Sequence, residues 1–336
     1  PFQQVATGYA SGAVGAKGLA NRLIDDDYFR TPSGIDPAFT TFLGNHDMGR
    51  GAQQILSQAP GLAGQALTQH VLLGYDLLYL LRGAPALLYG DEVGMIGSGG
   101  DQQARQDMFP TQVTEWQSQL RVGGSPIGKG SSFDVTNNPI ETQLRSLAAT
   151  RDAHPELATG ASVVRYAKDG LLVVSRIDLA SGKEVVVGFN NTDATAHVTV
   201  APATTGATWS VVFGPGKASA GLRLDIPAVS ALVAVPSAPL PKRAPAKPTL
   251  TGGADPLTSL TLLSAKVAGG PVSVAFAVRR QGGTWRRVAI DDSAPYRAFL
   301  EPGRYRRHER VEAVAVARGT DGSVAVSPVA RVVANP

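Results

Sequence analysis

The chain has 336 residues, 43% hydrophobic and 17% charged, which favours two or three domains of an ordinary soluble protein. No apolar run reaches the roughly eighteen residues of a membrane span, and the absence of cysteine removes disulfides, thiol catalysis and thiolate metal sites without excluding secretion. The net charge of +4 hides an asymmetry: residues 1–240 carry 16 Lys+Arg against 20 Asp+Glu (−4), and residues 241–336 carry 15 against 7 (+8).

The opening residues show no basic stretch followed by an apolar one, so no secretory leader is visible in them and destination stays open. Leu19, Leu23, Asp26 and Asp27 fall at helical intervals and predict a short amphipathic helix over 17–29. Thr31-Pro32-Ser33-Gly34 ends it with turn chemistry. Then Thr41-Phe42-Leu43-Gly44 leads into Asn45-His46-Asp47, as when a buried parallel strand delivers polar side chains to the mouth of a pocket.

Residues 62–82 predict a long helix, with Ala66, Leu73, Leu77 and Leu80 in one stripe that Tyr75, Leu78, Tyr79 and Leu81 widen. So apolar a helix is expected to be covered on more than one side. Gly83-Ala84-Pro85 stops it and 86–89 reads as a buried strand, so the strand-helix-strand unit implies parallel pairing and a right-handed crossover. Residues 96–137 form a long glycine-rich loop, a length usually kept for function. Asn138-Pro139 reads as cap and first position of a helix carrying Ile140, Leu144, Leu147, Ala148 and Arg151.

The pattern then switches to period two. Runs at 163–166, 171–177, 185–190, 197–200, 209–213, 222–226 and 231–235 predict seven short strands in an antiparallel sandwich. Five prolines over 236–248 predict an extended, semi-rigid linker. Beyond it, runs at 260–267, 272–280, 284–290, 294–300, 310–317 and 324–333 alternate again.

Two stretches carry a family likeness. Residues 41–50, with Phe42, Asn45-His46-Asp47 and Arg50, resemble the last signature region of the α-amylase superfamily, glycoside hydrolase family 13, at the end of its seventh barrel strand. Gly83-Ala84-Pro85-Ala86-Leu87-Leu88-Tyr89-Gly90-Asp91-Glu92 resembles the eighth strand and its loop, one helix-sized interval later. Pro1-Phe2-Gln3 resembles the end of the sixth strand, and Arg105 with Met108-Phe109 the segment after the eighth. Residues 285–296 resemble the immunoglobulin-like modules appended to secreted bacterial hydrolases.

The resemblance implies an α/β plus all-β chain. Residues 1–158 would be the last three βα units of a (β/α)8 TIM barrel, 159–236 an antiparallel β domain, 237–248 the linker and 249–336 an immunoglobulin-like β-sandwich. It assigns transition-state stabilisation to Asp47 and substrate binding to His46, Arg50, Asn45 and Arg105. The competing reading is an Asn-His-Asp turn that merely satisfies its own backbone. A retaining glycosidase also needs a nucleophile and a general acid about 5 to 5.5 Å apart. The earlier carboxylates Asp25, Asp26, Asp27 and Asp36 read as solvated surface, so these 336 residues are expected to lack both groups and to be inactive alone.

The expected activity is hydrolysis of α-1,4-glucans by a longer, secreted, monomeric enzyme. The alternatives are a non-catalytic carbohydrate-binding or surface-display protein, or another superfamily member with debranching, cyclodextrin-acting or transglycosylating activity. Tyr89, Asp91 and Glu92 are expected to shape their loop; Trp116 and Phe109 stand between subsite and packing roles; Trp209 reads as core. Trp285, Tyr296 and Tyr305 read as core, with a starch-binding platform as the alternative. The tail arginines read as a solvated strand face, with no nucleic-acid motif beside them. The histidines are scattered and make no metal set. No cofactor is assignable here, and the resemblance leaves calcium to the complete enzyme.

Overall fold

Alanine and leucine at helical spacing organise the first part of the structure, a computed structural model that describes residues 2–34, 39–128, 138–269 and 272–336. Helix α1 (Phe2–Ala10) buries Ala6, Tyr9 and Ala10, and α2 (Ala16–Ile24) buries Leu19, Ala20 and Leu23 before tightening into a 3-10 turn over Asp25–Phe29. Two short strands, β1 (Thr40–Thr41) and β2 (Ala84–Pro85), pair in parallel. Between them lie α3 (Gly51–Gln58) and α4 (Gly64–Leu80). As its all-round apolarity requires, α4 is covered on several sides, by α1, by α7 (Pro139–Ala153) and by the sheet that follows. The Asn138 side chain accepts a hydrogen bond from Ile140 N at the start of α7, the expected cap.

Three expectations are corrected. Phe2-Gln3 opens a helix instead of ending a strand, with Ala6, Tyr9 and Ala10 buried and the helix packed on α3 and α4; among the described residues up to 158, two strands pair, not three. Residues 86–89 are not a buried strand: the ladder ends where Ala86 N donates to Thr41 O at 2.8 Å, and Ala86, Leu87 and Tyr89 are exposed. Asp27 is not solvated but buried. The expected surface role of Asp36 lies outside the described residues.

Within the long loop, α5 (Asp101–Ala104) and α6 (Thr114–Gln117) are single turns, and α8 (Glu156–Thr159) follows α7. Eight strands come next: β3 (Ala161–Lys168), β4 (Leu171–Asp178), β5 (Lys183–Asn190), β6 (Ala196–Thr199), β7 (Trp209–Phe213), β8 (Lys217–Ser219), β9 (Arg223–Ile226) and β10 (Ser230–Pro236). They form one sheet in the order β3-β4-β5-β10-β7 and a smaller one, β6-β9-β8. Alternation sends Val174, Val187, Phe189 and Val233 toward the helices, and Val173, Val186, Leu232 and Ala234 toward Leu224 and Ile226 of the smaller sheet. The central strands are therefore apolar on both faces. The Tyr9 hydroxyl, 2.6 Å from Gly170 O and 2.8 Å from Phe189 O, ties α1 to this sheet.

The tail is a second antiparallel sandwich. Sheet β11 (Thr249–Ala254), β12 (Thr261–Lys266), β15 (Tyr296–Leu300) faces sheet β14 (Arg286–Asp291), β13 (Ser273–Arg279), β16 (Glu309–Arg318), with β17 (Val324–Val326) and β18 (Ala330–Ala334) also on β16. Leu263, Val274, Phe276, Ala298, Ala313 and Ala315 fill the space between.

The proline segment is extended but held along its middle. Leu240 is buried with Ala161 and Ile177, and Thr320 donates to Pro241 O (2.6 Å) and accepts from Arg243 N (2.8 Å). The tail also docks on the segment after α2. Arg30 pairs with Asp291 (3.2 Å) and Asp292 (2.6 Å), Arg82 with Asp292 (3.1 Å) and Arg297 with Asp27 (2.8 Å), while Tyr28 stacks on Phe299 with centroids 4.3 Å apart. No described helix is long and apolar enough to cross a membrane.

Candidate active site

The turn after β1 satisfies its own backbone and leaves two of its side chains, His46 and Asp47, exposed. Leu43 is buried, and at Gly44 a Cβ would lie 2.3 Å from Gly49 O and 2.5 Å from Gly51 N, so only glycine lets the chain fold back here. Asn45 and Gly49 exchange backbone hydrogen bonds of 3.0 and 3.1 Å. Asn45 Oδ1 accepts from Asp47 N and Met48 N, each at 2.9 Å. The competing reading therefore holds for Asn45, whose side-chain oxygen is spent on the turn. It does not hold for the next two residues.

The side chains of His46 and Asp47 are 57% and 69% exposed, with His46 Nε2 3.2 Å from Asp47 Oδ1. Arg105 Nη2 donates to Asp47 Oδ1 at 3.1 Å and to Asp101 Oδ1 at 2.9 Å, so three of the expected residues meet at one exposed anionic group.

Arg50, expected among the substrate-binding residues as one that orients or charge-balances the site, lies behind it. Its side chain is wholly buried, with Nη1 donating to Tyr89 O (2.6 Å) and Asp91 Oδ1 (2.9 Å) and Nε to Gln106 Oε1 (3.3 Å). With no accessible surface it cannot touch a ligand; it fastens the turn after β1 to the turn after β2. Burial pushes the Asp91 carboxyl up to about 6, and the charge and hydrogen bond of Arg50 work against that rise. Gly90, at φ 88°, is the second glycine that the geometry demands, since a Cβ there would meet Met95 Sδ at 2.4 Å and the Arg50 guanidinium at 3.2 Å. Asp91 thus shapes the loop as expected.

Gln106, buried and bonded to both Arg50 and Gln119, escaped the sequence reading; nothing in a lone glutamine marks it. Of the aromatic candidates, Phe109 is 65% exposed, while Trp116 is half-buried and donates from Nε1 to Gln103 Oε1 at 3.0 Å. Trp209 is core, as expected.

No family model matches the chain. Over 307 residues, 88% of its length, the chain is 36% identical to an α-amylase of Streptomyces lividans. That similarity, over most of this chain, supports the α-amylase superfamily as its family. The chain spans 33% of that α-amylase's length. Among solved structures, an Anoxybacillus α-amylase superposes with a TM-score of 0.51 at 19% identity, over 72% of this chain and 46% of that one. A Nostoc punctiforme debranching enzyme reaches 0.48 at 19% identity, over 70% and 46%. The mixed α/β fold with mostly antiparallel sheets accords with the C-terminal part of the amylase fold.

Proposed function

We propose that the chain is part of a secreted, retaining α-1,4-glucan hydrolase and carries the carboxylate that stabilises its transition state, Asp47. Residues 1–158 would belong to its (β/α)8 barrel, 159–236 to its β domain, and 249–336 to an immunoglobulin-like module. The observation that supports this most is the exposed Asp47 carboxylate, held by Arg105 on a turn whose backbone Asn45 already satisfies, beyond the end of a parallel strand. That end of a barrel strand is where such folds place chemistry.

Glycosidic cleavage builds positive charge on a flattening sugar ring. Asp47 would accept hydrogen bonds from hydroxyls of that ring, more strongly as the ring distorts, and His46 would donate to a hydroxyl of the same sugar. Arg105 would fix the carboxylate's direction; Asn45 and Arg50 act through the backbone and loop they hold. The nucleophile and general acid would be supplied by the complete enzyme. Among the described residues no three His, Asp or Glu side chains converge as a metal site, so no step is assigned to calcium.

The test is hydrolysis of maltoheptaose by the complete enzyme and by these 336 residues alone, with product anomers followed by NMR. The expected result is α-anomeric product from the complete enzyme and no turnover by the shorter chain. Turnover by the 336 residues, or initial release of the β anomer, overturns the reading.

A further inference from the structure

The tail sandwich is anchored at one end of β14, where Asp291 and the adjoining Asp292 meet Arg30 and Arg82. The other end, five residues or roughly 17 Å away along the strand, carries a different chemistry. There Arg279, Arg280, Arg286, Arg304 and Tyr305 line an open groove of about 390 Å³.

Residues 279–287 and 301–312 together hold eight arginines against three glutamates. The glutamates are consumed within the groove's walls: Glu312 pairs with Arg279 (2.7 Å), Glu309 with Arg280 (2.5 Å) and Glu301 with Arg304. Arg286 donates to the Tyr305 hydroxyl at 2.8 Å, and the Arg279 guanidinium lies 4.4 Å from the Trp285 ring centroid. Arg286 in the groove wall, and Arg306 and Arg307, which follow Tyr305 in the chain beyond that wall, are exposed and have no carboxylate within salt-bridge distance among the described residues. Packing so much like charge at one end opposes folding unless a counter-anion offsets it.

We propose that this groove binds a carboxylated polysaccharide, a chain of uronate-type sugars. Guanidinium forks match carboxylates in two-point hydrogen bonds, and a repeating uronate presents one carboxylate per ring to a row of such forks. A single-stranded nucleic acid needs aromatic faces open for base stacking, whereas the Trp285 face is occupied by Arg279. The site faces away from the docked end of the tail and does not depend on hydrolysis at Asp47.

The experiment is isothermal titration of the 336-residue chain with polygalacturonate at low salt, for the parent and two triple variants whose folding is checked by circular dichroism. Arg286→Gln/Arg306→Gln/Arg307→Gln is expected to weaken binding by about tenfold, the sum of three exposed ion pairs. Lys168→Gln/Lys217→Gln/Arg223→Gln, which removes equal charge from the other sandwich, is expected to leave the affinity within about twofold. Equal losses in both variants, no loss in the first, or tighter binding of amylose or of a single-stranded oligonucleotide than of polygalacturonate each overturns the proposal.

Discussion

Two places in the molecule bring arginine and aspartate together out of water, and they are built for opposite ends. At the turn after β1, the buried Arg50–Asp91 pair (2.9 Å) secures a frame, and the frame pushes a second carboxylate, Asp47, into solvent. At the junction with the tail, Arg30, Arg82 and Arg297 meet Asp27, Asp291 and Asp292, and the charges there are spent mainly on one another. Charge paired inward makes an attachment; a paired carboxylate left in solvent makes a candidate site.

The sharpest way to break that contrast is to remove the hub of the junction. Arg30→Met leaves Asp27 and Asp291 buried with less compensation, and loss of one partner of a buried pair costs about 3–5 kcal/mol. Urea denaturation at pH 8 is expected to show it. Burial pushes Asp27 up to about 6 and Asp291 to about 7; burial also works to raise Asp292, but Arg82 and Arg30 overcome it and hold that carboxyl below the usual range. The first two carboxyls take up a proton in the folded state as pH falls below 7, which removes the uncompensated charge, so the penalty is expected to shrink between pH 8 and pH 5. A penalty that grows toward pH 5 contradicts the account.

At the turn, Arg50→Met is expected to cost about 3 kcal/mol by the same assay, since Asp91 loses its cation and Tyr89 O and Gln106 lose a donor. A smaller effect of opposite sign is expected at Asp76, buried beneath α7 with the Gln143 amide (2.6 Å) as its hydrogen-bond partner among the described residues. Burial raises its carboxyl to about 7, with the Gln143 hydrogen bond opposing. A folded-state value above the unfolded one favours folding at low pH and forfeits that contribution as pH rises through 7. Asp76→Asn is therefore expected to stabilise by about 2 kcal/mol at pH 8 and by nothing measurable at pH 4, read from thermal midpoints. The smallest effects belong to the exposed site: Asp47→Asn and Arg105→Ala are expected to stay within about 0.5 kcal/mol of the parent in urea denaturation.

What could be read from the sequence follows the range of the forces involved. The cap at Asn138, the two-sided burial of α4 and the alternating strands β3 to β7, β9 and β10 rest on neighbours within a few residues, and they appear where expected; the three-residue β8 is an eighth strand that the alternation does not mark. The burial of Asp27 is not legible locally, because Arg297, which with Arg30 compensates it, lies 270 residues away. Strand β11 is not legible, because Gly252 and Gly253 interrupt its alternation and its pairing is supplied by β12. The final run, read as one strand, splits at Ser327-Pro328, where proline has no N–H to give β16. At the site, Asn45, His46, Asp47 and Arg105 were legible as a group, while the burial of Arg50 was not, because it depends on Tyr89, Asp91 and Gln106 arriving from two other turns.

The central claim is that Asp47 serves the reacting sugar and not the fold. Its most direct test is kcat/KM of the complete enzyme on maltoheptaose with Asp47→Asn, beside the variant's thermal midpoint. The account predicts a loss of about a thousandfold or more, equivalent to about 4 kcal/mol of transition-state stabilisation, with an unmoved midpoint. A loss under about tenfold, or one that comes with a lowered midpoint, would contradict it.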